Sequence, residues 1–249
     1  MILTDDNFAT IVDAVEYGRG LYDNLVKYLR FQMAVLIAFI ICFLLAAFFN
    51  IAEGQPFTPL QVLWINFAVQ VPIAMALGFD RPLPGLMKRK PRPPTAPIFM
   101  MGAWVRLAEM GVIAAIGTLI VRWAYEPSIG PVASSTMSMA TFGVYNIFIG
   151  FCARSTSGSI FTRDMFDRQQ VKMYGLAILL LFIATALNFL QRILGTSDLS
   201  FDQWMTCIGI AFSVVIVEEI IKFFVRRREK GAVTGEVGAP APSTSAPVA

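Results

Sequence analysis

The sequence predicts an all-α membrane protein with six transmembrane helices and a cytoplasmic helical extension before the first of them. Hydrophobic residues make up 56% of the 249 residues and charged residues only 15%, whereas soluble domains carry about 25% charged residues. Six stretches approach the roughly 20 apolar residues that a helix needs to cross a bilayer. Lys and Arg are concentrated in alternate connections between these stretches. Together these observations indicate a multi-pass membrane protein.

The six predicted spans follow one another with short connections. Each is mostly apolar, and Trp64, Trp104, Trp123 and Trp204 lie near proposed ends, as amphipathic aromatic residues do at the depth of lipid headgroups. We predict the spans at residues 31–49, 60–79, 104–123, 136–151, 174–190 and 204–224.

The distribution of cations predicts the orientation of these spans. Lys and Arg are abundant before the first span, in the second and fourth connections and after the sixth span, and are scarce in the other three connections. The cationic segments contain Arg19, Lys27 and Arg30; Arg81, Lys88, Arg89, Lys90 and Arg92; Arg154, Arg163, Arg168 and Lys172; and Arg226, Arg227, Arg228 and Lys230. Because such segments remain cytoplasmic, both termini are expected in the cytoplasm. We expect an integral protein of a plasma membrane.

The segments outside the spans differ in character. Residues 6–30 have apolar side chains at helical spacing and Asp6 as a possible N-cap, so they are predicted to form a helix continuous with the first span. The tail is small, rich in Pro and almost uncharged, which is typical of disorder. The predicted divisions are a stalk at 1–30, a membrane bundle at 31–228 and a disordered tail at 229–249.

The second span carries the most distinctive polar residues. Asn66 and Gln70 are four residues apart and therefore share one helix face. Pro72 has no backbone N–H, which frees the carbonyl of Ala68 one turn earlier. Amide and carbonyl oxygens in an irregular membrane segment suit a hard cation. The alternative is that the amides hydrogen-bond neighbouring helices, and the same two interpretations apply to Asn146 in the fourth span.

Several kinds of chemistry have no signature in the sequence. It contains no glycine-rich phosphate loop, no pair of catalytic carboxylates and no nucleophile with a base. Three cysteines without a histidine match neither a disulfide framework nor a zinc site. We therefore expect no catalytic residue, no cofactor and no nucleic-acid partner for this chain.

Motifs along nearly the whole chain point to one family. They are "ILTDDNFATIVDAVEYGRGLYDNLVKYLRF", "PLQVLWINFAVQVPIAMALGFDRP", "MKRKPRPPTAPI", "TMSMATFGVYNIFIGFCARS" and "VIVEEIIKFFVRR". In this order and spacing, from Met1 to about Arg228, they closely resemble the C-terminal part of P-type cation-transporting ATPases, especially the calcium-pump-like members of the P2 type.

The resemblance implies that the chain corresponds to one part of a larger ion pump. The six spans would be helices five to ten of a ten-helix pump, and residues 1–30 would hold the end of its phosphorylation domain and its stalk helix. The chain would form part of the ion path of a translocase without being an enzyme by itself. ATP and Mg²⁺ would act only through the missing domains. Expected partners are the bilayer, a cation of unknown identity and the missing cytoplasmic and N-terminal membrane parts.

The resemblance also locates candidate ion ligands. Asn66 matches an Asn of the family's sixth helix, whereas the positions of the other ligands in the fifth, sixth and eighth helices are occupied here by Leu36, Phe39, Val69, Gln70 and Asn146. The candidate cation-pathway residues are thus Asn66, Gln70 and Asn146, and each expected carboxylate is replaced. Because charge balance is a large term in an apolar medium, the resemblance implies a weaker or different cation site, or no functional site.

Two other functions remain open from the sequence. The bundle could act alone as an ATP-independent cation channel or transporter. It could instead be a non-catalytic membrane subunit or regulator that docks through residues 6–30 and the connection 80–97. A gene fragment or one half of a split pump would also fit the motifs.

Overall fold

The computed structural model describes residues 8–81, 85–88, 93, 95, 97–154 and 167–236, and all regular secondary structure in them is helical. Five helical stretches in this part of the chain are long and apolar enough to cross a membrane. The α-helices are α1 (Phe8–Phe48), α2 (Pro59–Trp64), α3 (Val71–Gly78), α4 (Met101–Ala153), α5 (Arg168–Ala186), α6 (Asn188–Leu194), α7 (Phe201–Ala211) and α8 (Ser213–Glu236). A π-helical turn, Ile65–Gln70, joins α2 to α3, and short 3₁₀ turns occupy Ile51–Gly54 and Leu86–Lys88. The protein is therefore an all-helical, multi-pass membrane protein.

The first helix confirms the predicted continuity between the stalk and the first span. α1 runs unbroken for 41 residues, so Gly18 and Gly20 are accommodated inside it. It ends one residue before the predicted limit, and Asn50 then adopts a left-handed conformation with φ of 51°. The predicted cap, Asp6, lies outside the described residues.

The longest helix is bent back on itself. α4 contains 53 residues, but Gly130 within it has φ of 83° and ψ of 172°, a conformation that ends a helix and that glycine adopts without a steric penalty. A β-carbon on Gly117 would collide with the hydroxyl of Tyr145, although 28 residues of straight helix would separate these positions by about 42 Å. The two halves of α4 therefore lie side by side, and they contain the predicted spans 104–123 and 136–151.

The fifth predicted span was wrong in detail because a helix break interrupts it, whereas the sixth lies within one apolar helical stretch. α5 stops at Ala186, and Leu187 is extended with ψ of 117° before α6 begins. The predicted span 174–190 thus crosses a break. The predicted span 204–224 corresponds to the helical stretch Phe201–Phe223, in which Phe212, between α7 and α8, keeps helical dihedral angles. α8 continues to Glu236, inside the predicted tail 229–249, and residues 237–249 lie outside the described part.

The core forms where α1 packs against α4. Ala34, Ala38, Cys42 and Ala46 repeat every four residues on one face of α1, and all four are fully buried. Such small residues allow close approach of membrane helices. Gly111 of α4 meets this face so closely that an added β-carbon would lie 3.0 Å from the backbone nitrogen of Ala38.

Replacing Gly111 by Ala is therefore expected to lower the free energy of unfolding by about 1–3 kcal/mol, because a backbone atom cannot rotate out of the way. Reversible unfolding in mixed detergent micelles measures this change. Gly175→Ala is the matched control, since nothing lies within 4 Å of its added β-carbon, and it should stabilise α5 by about 0.5–1 kcal/mol. Equal effects of the two substitutions would contradict close packing at Gly111.

Candidate cation-binding site

Asn66 and Gln70 lie on the π-helical turn between α2 and α3. The irregularity expected before Pro72 takes this form because proline cannot donate the next α-helical hydrogen bond. Pro72 itself lies in the first turn of α3, where its missing N–H is tolerated. A π-helical turn within an α-helix is rare and is frequently found at functional sites.

Both amides line a cleft between α1 and the second helical stretch. Its volume is about 560 Å³. Its walls are formed by Tyr28, Gln32, Val35, Leu36, Phe39, Phe43, Val62, Asn66, Gln70, Val71 and Ala74. The polar groups among them are amides and one phenol, so the described lining of the cleft carries no carboxylate.

The two amides are bonded to each other. Nε2 of Gln70 donates a hydrogen bond of 2.7 Å to Oδ1 of Asn66. Gln70 is 5% exposed, whereas Asn66 is open to the cleft. A cation bound by both amides would require this hydrogen bond to break, because Oδ1 of Asn66 would have to turn from Gln70 towards the ion.

The third candidate, Asn146, does not join this pair. It lies fully buried in the second half of α4, where Nδ2 donates a hydrogen bond of 2.7 Å to the carbonyl of Phe142. Its Oδ1 is buried without a hydrogen-bond partner among the described residues. Asn146 is not part of the cleft lining, so the structure brings together Asn66 and Gln70 but not Asn146.

The positions at which the family resemblance implies further ligands are also divided. Leu36 and Phe39 line the cleft opposite Asn66 and Gln70. Val69 is fully buried in the hydrophobic core. The cleft therefore unites positions of the first and second spans, while apolar side chains occupy the positions on α1.

Gln32 is a cleft residue that the sequence interpretation missed. It lies on α1 one turn before Leu36 and contributes a neutral amide to the cleft wall. The available signal was an amide at the beginning of an otherwise apolar run, "FQMAVLIAF", but one polar residue at a span boundary is common.

A buried ion-pair cluster at one end of the bundle was also missed. Asp80, just after α3, is 8% exposed and accepts hydrogen bonds of 2.8 Å from Nζ of Lys27 and 2.7 Å from a terminal guanidinium nitrogen of Arg154. Asn24 donates to the carbonyl of Asp80 at 2.6 Å, and Gln170 donates to its carboxylate at 3.3 Å. The cluster thus joins α1, the end of α3, the end of α4 and the beginning of α5.

Electrostatics in this cluster favour the ionised carboxylate. Burial alone would raise the pKa of Asp80, but hydrogen bonds and positive charge from Arg154 and Lys27 outweigh it and hold that pKa below its ordinary value of 3.8. The cluster ties three helices to the segment after α3 through a buried carboxylate. No group of three or more His, Cys, Asp or Glu side chains suited to a metal occurs in the described segments.

Comparisons with known proteins show which family the chain resembles. A family model described as "Cation transporting ATPase, C-terminus" matches residues 54–224. The chain is 29% identical over 239 residues to calcium-transporting ATPase 1 of Yarrowia lipolytica, covering 95% of the chain and 26% of that protein. It is 31% identical to the mouse calcium-transporting ATPase type 2C member 1, with 92% and 25% covered. A calcium-transporting ATPase of Listeria monocytogenes is 33% identical, with 89% and 25% covered. The chain thus spans about a quarter of the length of these relatives.

The Asp80 cluster leads to a stability prediction. Asp80→Asn should lower the free energy of unfolding by about 3–5 kcal/mol, because buried Lys27 loses the carboxylate 2.8 Å from its Nζ. The loss should be present at neutral pH. Because the pKa of Asp80 is depressed in the folded state, the difference between wild type and variant should shrink as pH falls below 3.8 and through the lower folded-state value.

Unfolding in detergent at several pH values measures this prediction. Asp167→Asn is the control, because Asp167 pairs with Arg81, whose side chain is 77% exposed, and such surface pairs contribute only about 0–1 kcal/mol. A loss for Asp80→Asn no larger than for the control, or a loss that grows on acidification, would contradict the assignment.

Proposed function

This chain belongs to the family of cation-transporting ATPase C-terminal domains, and we propose that it forms part of the transmembrane cation path of a P-type pump. The observation that carries this proposal is the cleft in which Asn66 and Gln70, on a π-helical turn, face α1. Because the chain spans about a quarter of its relatives, ATP hydrolysis and transport are proposed for an assembly with the missing parts. ATP and Mg²⁺ would bind in those parts.

The proposed ion site relies on neutral ligands from this chain. Asn66 and Gln70 offer amide oxygens, which hard cations accept, but the described cleft lining offers no negative charge. Negative charge would therefore come from the N-terminal membrane part of the pump, or the ion would bind weakly. The relatives are named as calcium transporters, and calcium is the first cation to test. Asn146 would act only if a rotation exposed its Oδ1 to the path.

The proposed topology has six spans and both termini in the cytoplasm of a plasma-membrane protein. Two features support it. The break at Gly130 and the side-by-side halves of α4 are what two successive spans require. The basic residues cluster in the connections that this topology places on the cytoplasmic side.

A chimera tests the ion site. This chain would replace the aligned C-terminal quarter of the Listeria relative, and calcium-dependent phosphorylation by ATP would be measured. Asn66→Ala and Gln70→Ala should each lower the apparent calcium affinity by about threefold to tenfold. Gln70→Glu, which keeps the shape and adds a charge, should raise that affinity by about tenfold.

The control for the chimera is Asn188→Ala, since Asn188 is an exposed amide in a short helix away from the cleft. Unchanged calcium dependence in all three cleft variants would remove Asn66 and Gln70 from the ion path. Cation flux through the chain alone in liposomes, without ATP, would favour the channel alternative.

The topology is tested by labelling in intact cells with a membrane-impermeant maleimide. Ser128→Cys, exposed beside the break in α4, should react from outside, whereas Lys88→Cys should react only after permeabilisation. The three native cysteines, Cys42, Cys152 and Cys207, are buried, which keeps the background low. Labelling of both sites from the same side would contradict two spans within α4.

A further inference from the structure

A second cavity opens between α1, the two ends of α4 and α8. Its volume is about 590 Å³, which lies in the range of small-molecule sites. Apolar side chains cover most of its wall, and they include Ile98, Phe99, Met100, Leu107 and Met110. Its charged side chains are Arg30, Arg106 and Glu218. The cavity lies at the end of the bundle where the apolar stretches meet the basic connections. This end corresponds to the level of lipid headgroups.

The carboxylate of Glu218 pairs with two positively charged side chains, and both contact the same oxygen, Oε1. Arg106 donates to Oε1 of Glu218 across the gap between α4 and α8. Nζ of Lys222, one turn further along α8, lies 3.7 Å from the same oxygen. The carboxylate is thus anchored on one side, and its other oxygen remains available.

The cavity wall contains a buried acceptor and a buried donor that have no hydrogen-bond partner in the described part of the chain. Oε2 of Glu218 is buried without a hydrogen-bond partner in the described part of the chain, and the Glu218 side chain is only 2% exposed. Nε of Arg30 is also buried without such a partner. Leaving charged groups unmatched in an apolar cavity is unfavourable, so these two atoms define the polarity of a ligand.

We propose that this cavity binds a phospholipid whose headgroup carries both a phosphate and a protonated amine. The phosphate accepts a hydrogen bond from Nε of Arg30, the ammonium group donates one to Oε2 of Glu218, and an acyl chain lies against the apolar wall. A headgroup with only negative charge meets the carboxylate of Glu218. A headgroup with only positive charge meets Arg30 and Arg106.

This inference is independent of ion transport, and the wild-type chain tests it without any substitution. Native mass spectrometry in detergent would compare lipids with equal acyl chains and an ethanolamine headgroup carrying zero, one, two or three N-methyl groups. A single N–H group is enough to donate to Oε2 of Glu218. The lipids with zero, one or two N-methyl groups each keep an N–H group, so they should bind with similar affinity. The trimethylated lipid, phosphatidylcholine, should bind about tenfold more weakly.

Phosphatidylglycerol, which has a phosphate but no positive charge to face the carboxylate of Glu218, is expected to bind about tenfold more weakly than phosphatidylethanolamine. Equal affinity across the methylation series would overturn the proposal. Tighter binding of phosphatidylglycerol would also overturn it, because the site would then select negative charge alone.

Two variants locate the lipid. Gly102 lines the cavity and has open space around an added β-carbon, so Gly102→Trp should fill the cavity and abolish the preference for ethanolamine. Gly209→Trp is its control, since Gly209 also has open space but lies outside the cavity wall. A preference that persists in Gly102→Trp places the lipid elsewhere and refutes the site.

Glu218→Gln tests the acceptor itself and should remove the difference between the dimethylated and trimethylated lipids. Glu53→Gln, at an exposed position on the 3₁₀ turn, should leave that difference unchanged. If Glu218→Gln does not fold, the methylation series and Gly102→Trp still decide the question.

Discussion

In a membrane, a backbone carbonyl that loses its helical donor finds no water to replace it, and this constraint shapes the whole bundle. Where α7 gives way to α8, the hydroxyl of Tyr145 donates to the carbonyl of Ile210 at 3.0 Å. Where α5 ends, Thr196 donates to the carbonyl of Ala184 at 2.7 Å. At the end of α6, Gln61 donates to the carbonyl of Leu194 at 3.2 Å. These three carbonyls at or near helix ends are thus supplied with donors from elsewhere in the chain.

The π-helical turn of the second span is an interruption of a different kind. Its amides, Asn66 and Gln70, bond each other and face a cleft, whereas Tyr145 and Gln61 bond carbonyls on other helices. If Asn66 and Gln70 served only to connect helices, their side chains would bond other helices, as those of Tyr145 and Gln61 do. Among the described residues, Asn66 and Gln70 bond only each other through their side chains, so a ligand could replace this hydrogen bond without separating two helices. This local pairing supports the cation interpretation.

The sequence predicted correctly the features that depend only on residues close together in the chain. The continuity of α1 follows from the absence of a strong helix breaker, and the irregular turn follows from Pro72. The helix break at Leu187 has no such marker, because the donor to the carbonyl of Ala184 is Thr196, in the segment after α6.

The Asp80 cluster shows the same limit more clearly. Its ion pairs join residues 53 and 74 positions apart. An aspartate beside a basic connection is, from sequence alone, an ordinary surface residue. Similarly, the mutual geometry of Asn66 and Gln70 was predictable from their spacing, but the separation of Asn146 from them depends on how α4 packs.

The unbroken length of α1 has a mechanical consequence. At about 1.5 Å per residue, its 41 residues form a rod of roughly 60 Å, and the Asp80 cluster grips it at Asn24 and Lys27. That contact divides the rod into two arms of similar length, one that begins at Phe8 and one that ends at Phe48 and carries one wall of the cleft. A tilt of about 10° around Lys27 would move the backbone at Phe43 by about 4 Å, more than the diameter of a bare cation. Because α1 is unbroken, a displacement of its outer end would be carried along the same helix to the wall of the cleft.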